Sequence, residues 1–199
     1  MRISPVAFGK HLMANCQIQT NTGKAKPCKI YELTKEEDID YFCQLKKSPQ
    51  WVNSEYLEMT NQMMLSPLLS NGLRTFGLET EEEGCIGFVT TVDYDFEPNK
   101  TNIEFLETSP KYIAKNKKRE LKYIGETLMA FVVGLAQKNE KDKVCIRTVA
   151  PKARKFYGKA CSFREDYKGK DGLVLNKQSY NKFLDKHKEK TGSEITFIG

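Results

Sequence analysis

The stretch IGETLMAFVVGLAQKN, residues 124 to 139, limits the fold more than any other part of the chain. Ile124, Leu128, Phe131, Val132 and Leu135 recur three and four apart, so a helix here has one wide apolar face that must cover something. Runs with strand character flank it: NIEFLET before, and the largely apolar KVCIRTVA after. A strand, a crossover helix and a second strand make parallel neighbours, since antiparallel strands need only a short turn. Ligands in such sheets gather beyond the carboxyl ends of the parallel strands.

The remaining segments fill out an α/β layer. LRTFGLETEEEGCIGFVTTVDYD divides into two strands about the acidic turn ETEEEG, and NIEFLET continues the antiparallel meander after PNK. HLMANCQIQ and KPCKIYEL flank the turn TNTGK as a candidate hairpin. Residues 34 to 45, with a polar cap and early acids, and residues 54 to 69, stopped near Pro67, read as two early helices. In PKARKFYGKACSF, 151 to 163, Ala153, Phe156, Tyr157 and Ala160 have helical spacing. CSFRED and GLVL read as strand, and SYNKFLDKHKEK as a surface helix. The expected fold is α/β: a mixed central sheet of about six or seven strands with helices on both faces. Residues 1–28 form an N-terminal extension, part of a hairpin, and residues 29–199 the main domain.

Composition narrows the function classes. With 199 residues, 39% of them apolar, the chain suffices for one core. No apolar run approaches the roughly 18 residues a membrane span requires, and the first residues lack a signal-like apolar core, so a soluble cytoplasmic protein is expected. Six cysteines are scattered without a CxxC pair, and His11 and His187 lie at opposite ends. Neither a metal site nor a disulfide framework is expected. The net charge of +6 comes mostly from lysine, which suits a solvated surface and polyanion attraction better than base reading by bidentate arginines. The densest basic run, KYIAKNKKRELK at 111 to 122, reads as a solvated face or as a contact for a phosphate-bearing ligand.

Two segments carry a family resemblance. APKARKFY, 150 to 157, keeps the alanine, aromatic and tyrosine of the pattern N-x-x-A-x-x-F-Y, with CSF in the place of a later Gly-Phe, one residue late. ETSP, 107 to 110, and YIGETLM, 123 to 129, keep the frame of a strand ending near a proline, then a Q/R-x-x-G-x-G/A loop opening a helix. In these segments the chain resembles the GNAT family of acetyl-CoA-dependent N-acetyltransferases. Gly125 aligns with the last small residue of the loop, Tyr123 stands where its first glycine is expected, and Glu120 where the Gln or Arg falls.

The resemblance implies acetyl-CoA as co-substrate. It places the pantetheine arm along the main chain of Leu106 and Thr108, and the pyrophosphate over Tyr123, Ile124, Gly125, Glu126 and Thr127, with Arg119 and Lys122 as charge partners. It gives Tyr157 the proton for the departing sulfur, since a phenol with a pKa near 10 stays protonated at neutral pH. A carboxylate must take the proton of the attacking ammonium; Glu104 is preferred to Glu107, with Asp93 and Asp95 in reserve. Glu104 and Glu107 lie three apart, so strict alternation sends them to opposite faces unless a bulge resets the phase. The acceptor is an amine on a small molecule, on a protein or peptide, or on the aminoacyl end of a tRNA, and the chain a monomer or homodimer. Trp51, Tyr56, Met63 and Met64 read as core or as an apolar wall on the acceptor side. Two other readings stay open: a noncatalytic protein of the same fold acting through a protein partner, and an RNA-binding protein using the 111 to 122 run.

Overall fold

The computed structural model describes residues 11–33, 45, 47–48, 51, 73–113, 120–147, 149, 151–166 and 172–198. The early helices at 34 to 45 and 54 to 69 fall almost wholly outside the described residues, as do Tyr56, Met63, Met64 and Arg119.

The hairpin expected around TNTGK forms from β1 (His11–Thr20) and β2 (Ala25–Leu33). The meander follows as β3 (Leu73–Thr80), β4 (Gly84–Val92) and β5 (Lys100–Thr108). A 3-10 turn at Pro110–Tyr112 and a two-residue strand, β6 (Leu121–Lys122), lead into the central helix α1 (Ile124–Lys138). Then come β7 (Lys143–Ile146), α2 (Pro151–Lys155), β8 (Arg164–Glu165), β9 (Leu173–Asn176), α3 (Tyr180–Thr191) and β10 (Thr196–Phe197).

One sheet holds the ten strands of the described residues in the order β10-β1-β2-β3-β4-β5-β7-β9-β8, with β6 paired to β1. This exceeds the six or seven strands expected. β1 and β2 join the sheet through β3, so a boundary at residue 28 falls inside β2, and β6, β8 and β10 are too short to leave a period in the sequence. The sheet is mixed: β5 and β7 run parallel and the other pairs along that order are antiparallel.

The apolar face of α1 explains the main core. Leu128, Met129, Phe131 and Val132 are fully buried, and Phe131 meets Phe76 of β3 edge-on at 4.9 Å and stacks on Phe197 of β10 at 5.5 Å. On the other side of the sheet, Leu33, Leu45, Trp51, Cys85 and Phe88 form a second cluster, joined by Phe105. Trp51, 1% exposed, is fixed there by donating its indole N–H to the Cys85 carbonyl at 2.9 Å. Helix α3 is less superficial than its composition suggests, since Tyr180, Phe183, His187 and Thr191 turn one buried stripe inward.

Gly87 of β4 sets how closely α1 approaches the sheet. A Cβ at Gly87 would lie 2.7 Å from Ile124 Cγ2, 3.0 Å from Leu128 Cδ1 and 3.1 Å from the Glu107 carbonyl oxygen. Gly87→Ala therefore forces the first turn of α1 off the sheet, and is expected to cost about 1–3 kcal/mol, read as a lowered urea midpoint. An unchanged midpoint would mean that α1 is not seated as closely as described.

Candidate functional site

The site begins where two strands part. β5 pairs with β7 only through Lys100↔Lys143, Thr101↔Val144 and Asn102↔Cys145. β5 continues to Thr108 along β4, but beyond Asn102 it has no ladder with β7. That stretch of β5 lies beyond the carboxyl end of the only parallel pair among the described strands.

A bulge sits at the vertex. Thr90 opposes Phe105 and the next residue, Thr91, opposes Ile103, leaving Glu104 as the extra residue on β5. Ile103 and Leu106, three apart, consequently both pack into the α1-side core, whereas Phe105 packs into the second cluster and Glu107 pairs with that cluster's Phe88. The bulge supplies the phase reset that alternation alone forbids: Glu104 and Glu107 share the face away from α1. Tyr94 donates its hydroxyl to Glu104 Oε1 at a long 3.4 Å. Burial, then the Glu104 charge, raises the Tyr94 phenol above its ordinary pKa, so it keeps that proton. Arg147, at the end of β7, lies 4.9 Å over the Tyr94 ring and ion-pairs with Glu97. Of the reserve acids, Asp93 is ion-paired to Lys141 at 3.0 Å and Asp95 is exposed.

The first turn of α1 lies against the carboxyl end of β5. Tyr123 precedes it with φ 65°, in the left-handed region, where a non-glycine residue costs about 1 kcal/mol or more. Ile124 is buried against Gly87. Gly125 lies so close to its neighbours that a Cβ would meet Phe156 Cζ at 3.2 Å and Thr108 Oγ1 at 3.5 Å. Glu126 pairs with Lys190 of α3 at 2.7 Å, and Thr127 Oγ1 meets His187 Nε2 at 3.1 Å. Lys122 Nζ donates to the Asn21 carbonyl at 3.1 Å, and Lys111 ion-pairs with Glu83 at 2.9 Å, so these two lysines of the basic run are held by the protein. The structure therefore gathers Leu106, Thr108, Gly125 and Phe156 at one end of β5, and Glu104 with Glu107 on its opposite face.

Tyr157 follows α2 in a π-helical turn, Phe156–Ala160. It is 8% exposed and packs edge-on against Phe156 at 5.1 Å and Phe163 at 6.2 Å. The turn accommodates the one residue by which Phe163 comes late: Cys161 N–H bonds back five residues to the Phe156 carbonyl at 3.3 Å. Ser162, with φ 64°, supplies the left-handed residue before Phe163 enters the core.

No family model and no curated protein matches the chain. Solved structures do. A putative acetyltransferase of the GNAT family from Desulfovibrio desulfuricans is 15% identical with a TM-score of 0.54, over 75% of this chain and 98% of its own. AtaTR bound with AcCoA is 19% identical, TM-score 0.54, over 77% and 96%. Spermidine N-acetyltransferase from Vibrio cholerae, in its dodecameric structure, is 15% identical, TM-score 0.51, over 77% and 95%.

The chain has the GNAT fold. Sequence reasoning missed Tyr94, Arg147, Lys190 and His187. For His187 a signal existed, because Tyr180, Phe183, His187 and Thr191 repeat at helical spacing and put the imidazole on the buried stripe. For the others, which meet across 10 to 64 positions of sequence, no local pattern exists.

His187, 3% exposed, generates a pH prediction. Burial and, second, the Lys190 charge push its imidazole from 6.5 down to about 4. The unfolded chain takes up a proton near pH 6.5 that the folded chain refuses until about pH 4. Its contribution is thus whole above pH 6.5 and drains away as pH falls toward 4, by about 3 kcal/mol in all. Urea midpoints should be level above neutrality and fall through this window, and His187→Gln should flatten the fall. Equal slopes in variant and parent would remove His187 as the source.

Proposed function

We propose that the protein is an N-acetyltransferase that passes the acetyl group of acetyl-CoA directly to an amine held in the same complex. The observation that carries this reading is the ladder ending at Asn102 and Cys145, which leaves a main-chain edge of β5 leading to the glycine-containing first turn of α1. The residues present fit the co-substrate. The edge at Leu106 and Thr108 suits an extended amide arm, and the α1 turn presents N–H groups to a pyrophosphate, with the Glu126 charge answered by Lys190. Acetyl-CoA would supply the activated thioester.

The chain's own groups then handle protons. Glu104, at the vertex and oriented by the Tyr94 hydroxyl, takes the proton that frees the amine's lone pair. Glu107, on the same face, is the second carboxylate for holding the ammonium before that transfer. Tyr157 holds a proton for the departing sulfur, and the apolar packing of Phe156 and Phe163 keeps its ring in place. No protein nucleophile is required, so the cysteines have no part in the transfer. The acceptor is an amine-bearing small molecule, or a lysine or N-terminus of a peptide or protein.

Calorimetric titration with acetyl-CoA should show saturable binding at micromolar concentration, much tighter than ATP. Tyr157→Phe should bind equally and turn over on the order of 100-fold more slowly on an amine that the parent acetylates. Equal turnover would remove Tyr157 from the proton step. A noncatalytic reading is favoured by Tyr123 in the left-handed position and by the Glu126 carboxylate in the first turn. Failure of acetyl-CoA to bind up to millimolar concentration would select it.

A further inference from the structure

The hairpin turn at 21 to 24 makes Cys16 and Cys28 direct partners in the β1–β2 ladder. Their sulfurs are 3.2 Å apart, both side chains are buried, and the residues are 6% and 4% exposed. Directly opposite residues in an antiparallel pair have Cα atoms roughly 4.5 to 5.5 Å apart, inside the range a disulfide bridges. Both side chains belong to the core cluster beneath α1. Cys16 lines a shallow surface cavity of about 280 Å³ with Asn15, Gln17, Ser193 and Glu194. The other described thiols do not share this arrangement: Cys85 donates to the Gly87 carbonyl at 3.4 Å, and Cys145 and Cys161 are buried at 0% exposure.

We propose that Cys16 and Cys28 are a site of oxidative modification, a dithiol that a hydroperoxide converts into a cross-strand disulfide. One sulfur attacks the O–O bond, releasing one water and becoming a sulfenic acid. The second sulfur attacks the first, forming the S–S bond and expelling the sulfenic oxygen as a second water. Two thiols lose two electrons and two protons, and one hydrogen peroxide is reduced to two waters. Burial delays the first step, while the preformed contact makes the second fast, so the sulfenic acid is captured before further oxidation. The crosslink closes a loop between residues 12 apart and so restrains the unfolded chain. It clamps the hairpin whose tip also carries β6, through Gln19↔Lys122 and Thr20↔Leu121. This inference does not depend on the proposed acetyl transfer.

The test treats the folded full chain with a small excess of hydrogen peroxide, blocks remaining thiols with N-ethylmaleimide, and maps peptides by mass. The expected result is loss of two hydrogen masses, with the Cys16 and Cys28 peptides joined. The thermal midpoint should rise by roughly 5–10 °C, and dithiothreitol should reverse it. Cys28→Val, which stays apolar, should show neither the link nor the rise. Maleimide on both cysteines, conversion to sulfinic acid without a link, a link between other cysteines, or a midpoint that does not rise would each overturn the proposal.

Discussion

The whole arrangement turns on a ladder that stops. Three residue pairs bind β5 to β7, and the next residues of β5, Ile103 and Glu104, are where the bulge falls. A bulge adds local twist and bends the strand that carries it, and this one falls directly after the last pair with β7, whose own strand ends at Ile146. The same extra residue shifts the side-chain phase, which brings two carboxylates to one face while Ile103 and Leu106 stay in the core. Because β5 remains laddered to β4 up to Thr108, the divergence costs the sheet only the pairs on one edge.

Helix α1 depends on that geometry in turn. Its first turn rests on Gly87 below and on Thr108 and Phe156 beside it, so three separate segments fix where its N–H groups lie. The turn begins without a side-chain cap, and Tyr123 is held in a conformation that glycine would adopt without cost. Glu126 favours the positive end of the helix dipole, and Lys190 then neutralises that carboxylate. The result is a helix start whose local charge is balanced before any anion arrives. Helix α3 supplies this balance through Lys190 and adds the buried contact from His187 to Thr127. An element that reads as a charged surface helix is therefore a brace for the turn.

Much of this was legible from periodicity. The α1 pattern and its two flanking strands implied the parallel pair. The motif at 150 to 157 and the frame at 123 to 129 pointed to the fold that the solved structures share. What stayed hidden was set by register. Whether Glu104 and Glu107 share a face depends on one bulge, and a single sequence does not show which residue of a strand lacks a partner. The Cys16 and Cys28 pair was hidden for a milder reason. Both stand six residues from the middle of the TNTGK turn, so the spacing held the answer only once the hairpin was granted.

The late aromatic after α2 shows how such a fold tolerates an added residue. An ordinary α-helical turn would rotate every following side chain by about 100° for one insertion, sending Phe163 away from the core. The π turn instead widens one loop of backbone so that Tyr157 and Phe163 still face the same cluster, with Phe163 N–H bonded to the Tyr157 carbonyl at 3.0 Å. Its cost is local: poorer helical hydrogen bonds and a serine in the left-handed region at 162. Had the extra residue fallen before Phe156, the aromatic against Gly125 would have rotated instead, and the seat of α1 with it. The placement of the insertion after that contact keeps Phe156 seated against Gly125 of α1.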